Sequence, residues 1–302
     1  YKRGMSLLDS QPENQERNRE KLSISLSALQ ALKALGFPEG SLEILQEAER
    51  LAKELEDGRA VAAVYSRLGL YHTMRGNTSL GMEYSERSFS EAEMVGDVEC
   101  MAEGAYDTCT NQFFTGDIPK IVDTSQRVLR LLEEQHRERD LYELGGFSTY
   151  AGLSGWLGFA LGCMGGFKQA RSALDRGLRV ARETDDAFGQ AWVSLSYFTG
   201  SFWSGDTERV LRHAREGLAI SEEIQLSIFI DQFWSYLALG YYSLGECEKA
   251  KDYIVRAVGL NKEEGLPVTQ PWLFHILSLV LATLGDFHSA EMKAEEALRL
   301  AV

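Results

Sequence analysis

The chain has 302 residues, 44% of them hydrophobic, and a formal net charge of −14 from 45 acidic against 31 basic residues. That balance excludes a general nucleic-acid or anionic-membrane binder, because covering phosphates takes clustered Lys and Arg. The length supports a large core but exceeds one ordinary compact domain, which directs attention to internal repeats.

In chain order, the recurring signal is a turn glycine that closes one apolar helical stretch and precedes another. These are Gly36, Gly76, Gly116, Gly165, Gly205, Gly245 and Gly285, spaced by 40, 40, 49, 40, 40 and 40 residues. Apolar stretches of about four turns stand upstream, for example residues 60–74, 187–203 and 272–284, and their spacing predicts the first helix of a hairpin. After the glycines, Asn77, Asp117, Asp206 and Asp286 suit the start of a second helix, since a short polar side chain caps free N–H groups there. Glu246 offers only a favourable interaction with the helix dipole. Pro271 fits the first turn of the last first helix. No alternating segment bounded by turn signals predicts a strand. The reading is an all-α chain of about seven helical hairpins, with residues 1–302 forming a single solenoid.

Five residues after each glycine stand Ser41, Gly81, Ile121, Ala170, Val210, Ala250 and Ala290. Twelve after stand Ala48, Ser88, Val128, Gly177, Gly217, Ala257 and Ala297. Positions seven apart share one helix face two turns apart, and small residues there predict close approach of a neighbouring helix. Only the third unit, with Ile121 and Val128, breaks the rule at both places. That unit is also long, its nine extra residues falling within LEEQHRERDLYELGG, residues 132–146.

The segments LGECEKAKDYIVRAVGL (244–260) and LGDFHSAEMKAEEALRL (284–300) show the layout: Leu-Gly, an acidic residue, then two alanines. Together with Leu68-Gly69 and Leu157-Gly158, each pair ending seven residues before a turn glycine, it resembles the tetratricopeptide repeat. The repeat is longer than the standard and mostly lacks the closing proline. The phrases LAKELEDGRAVAAVYSRLGLYHTMRG (51–76), AEMVGDVECMAEGAYDTCTNQFFTGD (92–117) and GFSTYAGLSGWLGFALGCMGGF (146–167) are similar to the sensor arms of large bacterial signal-transduction ATPases. Those include class III nucleotide cyclase fusions and maltose-activator-like regulators. The resemblance implies a right-handed α-α superhelix serving as a non-catalytic arm without cofactor. Such an arm binds a protein, a peptide or a small effector in its concave groove and regulates attached signalling domains. The chain opens at Tyr1 inside predicted helix, with no charged and apolar leader, and reads as a fragment of a larger protein.

Carried over position by position, the repeat's groove is lined by Tyr106, Thr110, Phe113 and Phe114 in the third unit and by Gly155, Phe159 and Cys163 in the fourth. The fifth supplies Trp192, Leu195, Phe202 and Trp203, the sixth Gln232, Ser235 and Tyr242, and the seventh Trp272 and His275. So aromatic and uncharged a lining implies an apolar or aromatic-rich ligand. Any of these rings can instead fill the contact between units. Two further readings stay open: a scaffold that self-associates as a homodimer through its terminal repeats, and a peptide receptor of the quorum-sensing kind.

Other chemistry is sparse. The uncharged run 144–167 is long enough for a bilayer, but Gly, Ser and Thr fill almost half of it, so close helix packing is expected and a membrane partner is not. Neither a phosphate loop nor a dinucleotide fingerprint is present, so any nucleotide site of a parent ATPase is expected outside this chain. His72, His136, His213, His275 and His288 lack ligand spacing and predict no metal site; His136, in the long unit's loop, and His275, on a first helix, are the two of interest. No nucleophile elbow or Cys–His arrangement predicts an enzyme. Cys100, Cys109, Cys163 and Cys247 lie far apart, which fits buried thiols in a reducing, cytoplasmic setting. Arg171, Arg176, Arg179 and Arg182, followed by Arg209, Arg212 and Arg215, make a basic ridge on two second helices. With Asp175, Glu183, Asp206 and Glu216 interleaved, it reads as a solvated face or as a dock for an acidic partner.

Overall fold

The structure, a computed structural model, describes residues 2–10, 12, 14–34, 36–141, 147–264 and 269–301. Among these, every regular element is a helix. The order is α1 (Lys2–Asp9), α2 (Gln15–Ala34), α3 (Ser41–Glu54), α4 (Gly58–Met74), α5 (Thr78–Val95), α6 (Val98–Phe114), α7 (Ile118–Glu134) and α8 (Thr149–Cys163). It continues with α9 (Phe167–Glu183), α10 (Ala187–Trp203), α11 (Thr207–Glu223), α12 (Ser227–Ser243), α13 (Cys247–Glu264), α14 (Gln270–Thr283) and α15 (Phe287–Ala301).

The seven turn glycines separate α2 from α3, α4 from α5, and so on to α14 from α15, and all have φ between 67° and 86°. That left-handed backbone costs glycine nothing sterically. A second series of left-handed residues follows α3, α5, α7, α9 and α11: Glu56, Gly96, His136, Asp185 and Gln225, with φ of 53°, 69°, 57°, 54° and 54°. Three of them are followed by an unpredicted cap. Asp57, Asp97 and Asp186 accept N–H bonds from Ala60, from Glu99 and Cys100, and from Gly189. Of the predicted caps, Asn77, Asp206 and Asp286 accept from Leu80, Arg209 and Ser289. Asp117 does not cap; its carboxylate pairs with Lys120 at 3.0 Å instead, and Pro119 has already removed one N–H from the first turn.

All fourteen positions five and twelve residues after the glycines are buried, Ile121 and Val128 among them at 0% exposure. The Leu-Gly pairs have a related cause. A Cβ on Gly69 would stand 2.7 Å from Ser85 Oγ and 3.0 Å from the Gly81 carbonyl, so α4 and α5 meet nearly backbone to backbone. Gly158 likewise leaves room for the side chain of Leu174.

Contacts divide the chain into two compact units, residues 1–156 and 157–302. In the first, Leu22, Leu29, Phe37, Leu45, Leu51 and Leu68 form one core. In the second, Phe233 and Leu237 build a cluster between α10, α11 and α12, and Ile254, Ile276 and Val280 build another between α13 and α14. First helices also touch the next first helix, α2 with α4 and α4 with α6 in one unit, α10 with α12 and α12 with α14 in the other.

The extra residues of the long unit fall after α7. Residues 135–141 form its described part, held by an Arg137–Asp140 pair at 2.6 Å, while 142–146 lie outside the described residues. No described helix is long and apolar enough to cross a membrane. Cys100 and Cys109 are buried as expected, but Cys163 is exposed and Cys247 half-buried, because each stands at a helix end beside a turn.

Candidate functional site

On α10, α12 and α14 the expected ligand-facing side chains form a connected set of rings. Trp203, 67% exposed, meets Phe202 edge-on at 5.3 Å, and Phe202 stacks on Phe198 at 5.0 Å. Phe198 in turn stacks on Tyr236 at 3.8 Å and takes Trp272 edge-on at 6.3 Å, with His275 6.3 Å beyond. Polar bonds fix the outer rings. Trp272 Nε1 donates to Ser235 Oγ at 3.2 Å, whose hydroxyl donates to the Gln232 carbonyl at 2.7 Å, and Thr283 donates to the Tyr242 hydroxyl at 3.3 Å. Gln232, Tyr242 and Phe202 are half-buried, Trp272 and His275 exposed. Trp192 stands apart at the start of α10, half-buried and 6.1 Å from Phe229.

The residues that connect this tract, Phe198 and Tyr236, were not among the sequence candidates. Phe198 stands seven residues before Gly205, where other units carry Gly69 and Gly158. A ring in a glycine's place was the available signal.

In the first unit Phe113 and Phe114 are each 41% exposed and 5.4 Å apart, and Phe113 leans on Trp156 at 5.7 Å. Tyr106 is buried beneath them, 6.3 Å from Trp156 and 5.1 Å from Phe147, so it supports the exposed rings from inside. Phe159, on α8 within the second unit, is half-buried.

Beside Tyr106 lies a buried charge cluster drawn from three first helices. Asp107 pairs with Lys33 at 2.7 Å and with Arg67, and accepts the Ser66 hydroxyl at 2.5 Å. Burial pushes the Asp107 carboxyl up, but Lys33 and Arg67 outweigh it and hold it below the usual range. Glu103 is 3.8 Å from Arg67, and burial, with the nearby Asp107 anion, outweighs Arg67 and Lys33 and pushes it up to about 7. Arg67 and Asp107 both stand nine residues before a turn glycine, a repeat position that carries Tyr236 in the sixth unit.

In the second unit Asp231, fully buried, accepts from Asn261 and Thr269 at 2.8 Å each and so joins α12, α13 and the start of α14. His213 stacks on Tyr197 at 3.8 Å, and burial, followed by Arg212 and Arg209, pushes its pKa down to about 4. His136 serves the turn after α7. Among the described residues no group of three His, Cys, Asp or Glu is placed to hold a metal ion.

No protein-family model and no curated protein matches the sequence. Solved structures do match. Over 97% of this chain and 88% of the other, it superposes on a Rap protein complexed with competence and sporulation factor, with a TM-score of 0.68 at 15% identity. The chain has the tetratricopeptide-like repeat fold. The same repeat fold is seen over 98% of this chain in a signal-transduction ATPase with numerous domains and a tetratricopeptide repeat sensor from Pyrococcus horikoshii, TM-score 0.63 at 14% identity. This chain spans 43% of the length of that ATPase. The apo quorum sensor NprR from B. thuringiensis is similar over 95% of this chain and 76% of its own, TM-score 0.54 at 16% identity. At such identities the likeness shows the tetratricopeptide-like fold alone.

Proposed function

We propose that this chain is a non-catalytic recognition arm. It takes a peptide or protein segment rich in apolar side chains, or a small effector, on the aromatic face of its first helices and passes binding to signalling domains attached in a larger protein. The observation that carries the reading is the connected ring tract Trp203–Phe202–Phe198–Tyr236 with Trp272, which leaves two tryptophans exposed while their neighbours are fixed by stacking and hydrogen bonds. Rigid amphipathic rings give contact area at low entropic cost. The Rap and ATPase likenesses support the reading by analogy of fold. The four cysteines, all free, fit a cytoplasmic setting.

Self-association is the second reading, favoured by Phe287, Met292 and Leu298, which are 72%, 55% and 71% exposed on α15. Native mass spectrometry of the purified chain, before and after denaturation, separates the two. Extra mass on a monomer that is lost on denaturation supports an effector; a bare dimer moves the function to assembly; a bare monomer that captures no peptide from a display library overturns the recognition reading.

A further inference from the structure

Apart from α9, each second helix holds at least one ion pair along its own length or with the residue just before it, although Arg130, Arg212, Arg215, Lys251 and Arg256 take part in none among the described residues. On α3, Arg50 pairs with Glu47 and Glu54 at 2.7 and 2.5 Å and Lys53 with Glu49 at 2.6 Å. Arg87 pairs with Glu83 on α5, Lys120 with Asp117 on α7, and Lys249 with Glu246 on α13. The helix α9 departs from this. It carries Lys168, Arg171, Arg176, Arg179 and Arg182 against Asp175 and Glu183, in a chain of net charge −14. Its central carboxylate, Asp175, accepts the Tyr197 hydroxyl instead of meeting an arginine. Arg171 and Arg182 reach α11 only at 3.9 and 3.5 Å, to Asp206 and Glu216. Lys168, Arg176 and Arg179 have no carboxylate within ion-pair distance among the described residues, and Arg176 donates to the Ser172 hydroxyl at 3.3 Å. Lys168, Arg171, Arg176 and Arg179, with Ser172 and the Asp175 carboxylate, edge a shallow depression of about 320 Å³.

We propose that this ridge of α9 docks an acidic helix of a protein partner. It is a surface separate from the aromatic face, since α9 is a second helix, and the inference stands without that reading. Lys168 and Arg179 lie three turns apart, about 16 Å along the axis at 1.5 Å per residue, so a partner helix with carboxylates every third or fourth residue matches the ridge. The cations need break no existing ion pair to meet it, and unlike charges steer the encounter. A nucleic acid or an anionic bilayer fits less well. Either extends past the ridge onto α11, where Glu208, Glu216, Glu222 and Glu223 stand among Arg209, Arg212 and Arg215, and onto an acidic chain beyond.

The test uses the full chain and a fluorescein-labelled Ala/Glu helical peptide of about 18 residues, with its Gln counterpart, read by anisotropy at low salt. The Glu peptide is expected to bind, the Gln peptide not, and added salt to weaken binding. Lys168→Glu with Arg179→Glu is expected to cost on the order of tenfold or more in affinity, whereas Arg87→Glu with Lys249→Glu, an equal change in net charge, changes it less than about twofold. The exposed pair Lys168→Gln and Arg179→Gln gives an intermediate loss and guards against misfolding, with helicity checked by circular dichroism. The proposal is overturned if the Glu peptide fails to bind at about 1 mM, if the ridge variant binds it as well as the parent, or if single-stranded RNA or phosphatidylserine vesicles bind more tightly at the same residues.

Discussion

The ring of Phe233 occupies the space that a side chain on Gly217 would need: a Cβ built there overlaps the ring, and Phe233 is fully buried. Two effects compete in Gly217→Ala. Helix propensity favours alanine by about 1 kcal/mol, and overpacking costs about 1–3 kcal/mol. Because Phe233 is enclosed between helices, overpacking wins, and urea unfolding is expected to show a net loss. An unchanged or raised midpoint would mean that α11 and α12 pack less tightly than described.

The two series of turns make opposite predictions for glycine. Gly205→Ala places a side chain at φ 75° and is expected to destabilise by about 1 kcal/mol or more, while Gln225→Gly, at φ 54°, relieves strain and is expected to stabilise by up to about 1 kcal/mol. Thermal melts of the two variants should move in opposite directions. Loss of stability in both would show that the Gln225 side chain contributes contacts that outweigh its backbone.

Glu103 and His213 give stability opposite dependences on pH. With Glu103 raised from 4.5 to about 7, the native chain keeps a proton through that window that the unfolded chain has lost. Stability from this group therefore falls as pH rises from about 4.5 to 7, by at most about 1.4 kcal/mol per unit. His213, lowered from 6.5 to about 4, is neutral in the native state where the unfolded chain is charged, so stability falls as pH drops through that window. Against the parent, Glu103→Gln should gain relative stability as pH rises and His213→Phe as it drops. Curves parallel to the parent's would contradict both assignments.

A peptide selected from a display library on the full chain is expected to be rich in apolar and aromatic side chains. Its affinity should fall about tenfold or more on Trp203→Ala or Trp272→Ala. Equal affinity in both variants would exclude the α10–α14 face as its site.

Ellman's reagent is expected to react first with Cys163, which is exposed, and slowest with Cys109, fully buried and pushed up by burial alone. Cys163→Ser should abolish the fast phase, and a fast phase that survives would place another thiol at the surface.

What was legible beforehand divides by the range of the interaction. The turn after a first helix needs glycine, and a glycine every 40 residues is visible without a structure. The turn before a first helix reaches the same backbone conformation with Glu56, Gly96, His136, Asp185 and Gln225, so no single residue type recurs there to mark it. The burial of Ser41, Ala250 and their counterparts was readable because small residues recurring on one helix face mark where a neighbouring helix comes close. The ring tract was half readable. Trp203 and Trp272 were found by carrying over groove positions, whereas Phe198 and Tyr236 hold repeat positions that other units fill with Gly158 or Arg67. The pairing of Arg67 with Asp107 was missed because their separation of one repeat matters only once helices stack side by side.

That pairing has a consequence for assembly of the first unit. Leucines accept many neighbours, so an apolar interface alone tolerates hairpins docked out of sequence. Asp107 does not: away from α2 and α4 it would be entombed as a lone anion, at a cost of several kcal/mol. The salt cluster thus works as a key cut for one lock, admitting the hairpin that begins with α6 only beside those two helices and rejecting its look-alikes.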